Sequence, residues 1–320
     1  MKQKVLAYAT LVLVCGLYAC SKPVSSETPE LDENAQSNDL TTLVSQVKEI
    51  THQQIILNGS QTRAPWWKWL IFGAADAGGY LLSGGSVSVA ISASTLAWTV
   101  MKEEVTKEKK DDSDEQISSG SAHQYEAYVS PLQEATESEA PIDYGVAGNI
   151  HNEVIAKTYK DEGRTFFDYS PERQNRILYE ETINYTGEVP QETVEESLQM
   201  ASKISSLIKI DMTSEQYVDK LKTLSKDPNI TMGFDIIQSV ITGLERSHRG
   251  TKSYLDRVNY AIETSHIDKK LKETIQGSVS VAYASSKLWK SEALYQKKVA
   301  VADEASEGKA ETRERMGDAH

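Results

Sequence analysis

Downstream of Asp143, apolar residues recur three or four apart, the spacing that lines one face of a helix. Ile150, Val154 and Tyr159 set one such face within Asn149 to Lys160. Ser170-Pro171-Glu172 then reads as a cap with proline in the first turn, opening a helix that carries Ile177, Leu178 and Thr182 and stops near Gly187. Pro190 is expected to begin the next, with Val194, Leu198, Ala201, Ile204 and Ile208 as its stripe. Thr213 to Gln216 has the form of a capping box ahead of Tyr217, Leu221 and Leu224, and Asp227-Pro228 ends that helix. Ile230, Phe234, Ile237, Ile241 and Leu244 make a narrow seam. Tyr254, Val258 and Ile262 follow Gly250-Thr251, and Ile267, Leu271, Ile275 and Leu288 mark a last long helix. No comparable alternating pattern occurs in this half. The fold class expected is mostly α, a bundle of about six or seven helices over residues 144–300.

The pattern changes upstream. From Trp66 to Met101 the chain is Gly-, Ala- and Ser-rich, and between Lys68 and Lys102 Asp76 is its only charge. Small residues stand four apart, as in Ala75, Gly79 and Ser83, or Gly84, Ser88 and Ser92, and on a helix that spacing lets another backbone approach closely. Ala77 to Val100 is an uncharged run of about 24 residues, long enough to cross a bilayer, with Trp66, Trp67, Trp69 and Trp98 as candidates for membrane contact. Three readings stay open: tightly packed helices broken at Gly84-Gly85, a membrane-active helix, or a short strand over Ser86 to Ile91 with Val87, Val89 and Ile91 on one face. The segment resembles the small-residue stretches of bacteriocin-type peptides and pore-forming hairpins, which implies action on a bilayer.

The N-terminus has its own signature. Lys2 and Lys4 precede an uncharged, largely apolar stretch from Val5 to Cys20, the layout of a signal peptide, and at about fifteen residues it is shorter than the roughly 20 a spanning helix needs. Leu17-Tyr18-Ala19-Cys20 resembles the lipobox of bacterial lipoproteins, with bulky Tyr18 at the tolerant position. That resemblance implies removal of residues 1–19, diacylglycerol on the Cys20 sulfur and acylation of its amine, so that a membrane is the first expected partner. Each buried methylene contributes about 0.8 kcal/mol, and several acyl chains anchor firmly. The mature start, Cys20-Ser21-Lys22, lacks the Asp that in such proteins often accompanies inner-membrane retention, so the expected location is the outer membrane; which of its faces carries the protein the sequence leaves open.

Between these parts, residues 20–39 are polar enough to act as a disordered tether, with 40–101 expected to hold an N-terminal helix followed by the apolar segment. Residues 102–143 form a charged linker with a helical start, and the charged residues 301–320 a disordered tail.

Composition removes several chemistries. Cys15 leaves with the signal and Cys20 is acylated, so the mature chain offers no thiol for a disulfide, a zinc site or a nucleophile. Loss of Lys2 and Lys4 takes the formal charge from −13 to −15, which disfavours nucleic acid. The six histidines show no metal-ligand spacing, and neither a metal nor a cofactor is called for. Gly-x-Ser-x-Gly and Lys-Ser or Lys-Thr phosphate loops are absent.

One constellation remains. Gly145 to Glu153 leads small residues into a helix whose first turn carries His151, Asn152 and Glu153. His151 is a candidate general base, oriented by Glu153 or by a nearby acid. The competing reading has His151 and Asn152 bonding backbone groups where the helix starts. Its Gly-x-x-His-Asn phrase is similar to one in uncharacterised lipoproteins of Gram-negative bacteria, which implies no activity. The expected function is a lipid-anchored envelope protein with a helical binding, adhesion or structural role and a possible protein partner. The alternatives are a membrane-active protein working through residues 66–101 and a hydrolase centred on His151.

Overall fold

The computed structural model describes residues 33–58, 69–107, 146–209, 211–246 and 250–289. Cys20 and its signal peptide, Trp66, Trp67, linker residues 108–143 and the tail at 301–320 lie outside the described residues. Within them the chain is mostly helical, with no strand.

The first helix, α1 (Glu33–Asn58), starts inside the segment expected to be tether. Leu40, Leu43, Val44 and Val47 are its buried stripe, and ordering these residues follows from covering that stripe against α8 (Pro228–Arg246) and α9 (Thr251–Thr264). The apolar segment forms a hairpin of α2 (Trp69–Leu82) and α3 (Val87–Lys107). Gly84 and Gly85 turn the chain between them at φ of 71° and 114°, a region closed to most side chains. The strand reading of Ser86 to Ile91 is therefore corrected: Val87 to Ile91 are helix and Ser86 precedes it. Alternation reports a strand only when one face is solvated, and residues 88–98 are buried on every side.

The other helices pack against this hairpin or against α1. They are α4 (Ala147–Glu162), a 3₁₀ turn (Arg164–Asp168), α5 (Pro171–Thr186), α6 (Val194–Ser205), α7 (Ser214–Lys222), α8, α9 and α10 at 269–289. Ser170 caps α5 as expected, accepting from the Arg173 amide, and Gly187 closes it in the left-handed region. Helix α6 begins four residues later than its expected start at Pro190, because Thr193 and Glu196 make a capping box that fixes the start at Val194. The box at Thr213 and Gln216 opens α7 as expected.

Side chains of α1, the hairpin and the later helices belong to one hydrophobic core. Its aromatic centre stacks Trp98 on Trp289 at 5.1 Å, with Phe72 edge-on to Trp98 at 5.7 Å. Small residues explain how α10 comes so close to α2. A Cβ on Gly73 would sit 2.1 Å from Ser286 Oγ and 2.5 Å from the Ala282 carbonyl oxygen. Between the two arms of the hairpin, Gly79 lies against the backbone of Val89 and Ala90. At Gly73 and Gly79 the small residues thus serve helix packing within the protein.

Candidate functional site

Asp76 lies on α2 and is fully buried, a position that costs several kcal/mol for a carboxylate without partners. Two partners meet it. The Ser94 amide of α3 donates to Oδ1 at 3.0 Å, and His151 of α4 brings Nε2 to 2.7 Å from Oδ2. The second contact has the distance of an ion pair without the alignment of a hydrogen bond. At the other ring nitrogen, Nδ1 meets Asn152 Oδ1 at 2.9 Å, while Asn152 Nδ2 donates to the Ala284 carbonyl of α10 at 3.2 Å. Because Asn152 donates through its nitrogen, its oxygen faces the ring, so both imidazole nitrogens lie against oxygen atoms. Tyr217 lies close enough for Asp76 to matter: burial first, and then the Asp76 charge, push its hydroxyl well above the usual tyrosine range. That hydroxyl donates to the Ile204 carbonyl at 2.9 Å.

This cluster ties α2, α3, α4 and α10 together, and His151 has no exposed surface. A general base needs one ring nitrogen free to take a proton and a path for substrate, and here both nitrogens are engaged. Glu153, expected as its orienting acid, instead accepts from the Tyr185 hydroxyl. Asp76 holds that place. Neither His151 nor Asn152 caps α4, whose Val146 cap has no side-chain bond. Trp69 and Trp98 are 7% and 2% exposed, and both lie within the aromatic centre. Among the described residues no group of His, Cys, Asp and Glu could hold a metal ion, and no helix is long and apolar enough to cross a membrane.

No family model matches the chain, and no curated protein or solved structure shows significant similarity to it.

Open surface with mixed chemistry occurs at the tip of the hairpin. A cleft of about 540 Å³ is bounded by the Gly84-Gly85 turn, the start of α4, the loop from α5 to α6 and the first half of α10. Glu192 of that loop holds the tip: its Oε1 accepts the hydroxyls of both Ser86 and Ser88. Its carbonyl oxygen accepts from Tyr179 at 2.7 Å. Val146 and Val189 stand at the cleft 70% and 74% exposed. Sequence reading missed this place because its residues come from four separate segments. The local signal, two serines flanking Val87 after a Gly-Gly turn, was absorbed into the small-residue pattern.

Proposed function

We propose that the chain is a lipid-anchored protein of the bacterial cell envelope whose helical body acts by binding. The anchor rests on Leu17-Tyr18-Ala19-Cys20, and the outer membrane is the location this reading favours. One contrast carries the binding role. The residues best suited to catalysis, His151 and Asp76, are sealed in the core and occupied by each other, whereas the cleft at the hairpin tip is open and of the volume ligand sites have.

A second reading, membrane action through residues 66–101, is supported by the hairpin itself: two helices whose residues 69–101 carry a single charge, Asp76, joined by a Gly-Gly turn. Length weighs against it. Fourteen residues of α2 extend about 21 Å, short of the roughly 30 Å hydrocarbon core.

The test has two parts. Metabolic labelling with palmitate should mark the wild-type chain and leave Cys20→Ser unlabelled; label on neither removes the anchor. The mature Cys20→Ser protein should then stay with the unbound fraction when floated with neutral liposomes. Flotation, with vesicle protection of residues 69–101 from protease, would replace the binding reading with the membrane-active one.

A further inference from the structure

We propose that the cleft at the turn between α2 and α3 takes a small organic ammonium ligand, a primary amine on a short aliphatic chain, with Glu192 as its anionic contact. The inference rests on the binding reading above and names its ligand class.

Charge selects the sign. Glu188, Glu192 and Glu273 line the cleft, and no lysine, arginine or histidine does so among the described residues. Lys269 reaches Glu273 Oε1 only at 3.7 Å, across exposed surface where such a pair is weak. Glu192 is half-buried and held in place. Its Oε1 is taken by two serine hydroxyls and its main chain by Tyr179, and no contact among the described residues claims Oε2. A carboxylate fixed before the ligand arrives loses little side-chain freedom on binding, and a bond from ammonium to carboxylate is among the stronger polar contacts.

The walls select the body of the ligand. Val146 and Val189 leave apolar surface uncovered at the mouth, and Ile150 and Val87 continue it inward. An aliphatic chain would cover that surface. Tyr80 adds an aromatic wall, which can attract a cation through its ring face. Its ring lies against α10 because residue 277 is glycine: a Cβ there would be 2.3 Å from a ring carbon of Tyr80. Burial, and then the nearby Glu273 charge, raise the Tyr80 hydroxyl above the usual tyrosine value, in keeping with an electronegative cleft. The carboxylates do not converge as a metal-ligand group, so an organic cation suits the place better than a metal ion.

The mature Cys20→Ser chain, titrated calorimetrically at low salt with 1,5-diaminopentane, should bind saturably. 1,5-Pentanediol, of the same length without charge, should bind at least tenfold more weakly. Glu192→Gln keeps an oxygen for both serine hydroxyls and should weaken the diamine at least tenfold at an unchanged unfolding midpoint. Val146→Lys, a change at an exposed position, should do the same by placing a cation at the mouth, and serves if Glu192→Gln does not fold. Glu49→Gln, in the groove between α1 and α9, should leave affinity unchanged. No saturable binding, equal binding of the diol, or full affinity in folded Glu192→Gln and Val146→Lys would overturn the proposal. None of these outcomes bears on palmitate labelling or flotation, so the binding reading can fail or stand separately.

Discussion

The Oδ2 atom of Asp76 lies 2.7 Å from Nε2 of His151, and neither side chain has exposed surface. The contact joins the hairpin to α4 across 75 positions of sequence. Removing one partner leaves the other's polar group buried without compensation, which in comparable pairs costs about 3–5 kcal/mol. Asp76→Ala should therefore lower the urea unfolding free energy by about that amount. Replacing both residues with leucine should be less damaging than either single change, since two apolar side chains leave no stranded charge. An Asp76→Ala protein that unfolds at the wild-type midpoint would show that the pair contributes nothing to the fold.

The amphipathic half of the protein was legible in its spacing. Phe234, Ile237, Ile241 and Leu244 all reach the core, because a helix with one solvated face must repeat its apolar positions every three or four residues. The hairpin was harder for the opposite reason. A helix buried on all sides has no polar face to set a period, so the segment left packed helix, membrane helix and, over Ser86 to Ile91, strand open together. Asp76 was visible as a lone charge in an apolar stretch, a sign that a partner must exist, but only tertiary contact names His151. The start of α6 was misplaced although Thr193-x-x-Glu196 is itself a capping pattern; Pro190 offered a competing one three residues earlier.

Glycine at position 73 is a packing requirement. Gly73→Ala places a methyl 2.1 Å from Ser286 Oγ and 2.5 Å from a backbone oxygen that cannot swing away. Alanine is the better helix former by about 1 kcal/mol, so any loss of stability has to come from the collision. Overpacking of this kind costs about 1–3 kcal/mol. A net drop in the thermal midpoint is expected, read by circular dichroism, and a rise would mean that α10 retreats from α2 without penalty.

Alkali should unfold the protein through buried tyrosines. Burial pushes the hydroxyls of Tyr217 and Tyr254 above the ordinary value of 10.0; for Tyr254 the Thr51 hydrogen bond and the Arg257 charge offset only part of it. Above pH 10 the unfolded chain releases these protons while the folded chain keeps them, so stability falls as pH rises through the window from 10 to the folded values. The slope is about 1.4 kcal/mol per pH unit for each such tyrosine. Tyr254→Phe should flatten it, at the cost of the 2.8 Å bond to Thr51. Absorbance at the tyrosinate band, followed with unfolding, checks the assignment: buried rings ionise only as the protein unfolds.

The capping box at the start of α6 predicts an effect at the other end of the pH scale. Glu196 accepts from the Thr193 amide at 2.8 Å and from the Thr193 hydroxyl at 3.1 Å, and these bonds hold its carboxyl below the ordinary value of 4.5. A carboxyl lowered on folding stabilises the protein above the unfolded value, and that contribution is lost as pH falls through the folded one. Glu196→Gln keeps an acceptor oxygen but cannot ionise, so its stability deficit against wild type should be present at pH 7 and shrink as pH drops below 4.5. Thr193→Ala removes the oxygen that receives the Glu196 amide and should cost about 1 kcal/mol at neutral pH. Because the same turn leads directly from Glu192, hydrogen exchange at residues 194–197 should quicken in both variants while exchange in α2 stays slow. Equal acceleration in α2 would mean that the hairpin depends on this loop more than its buried contacts imply.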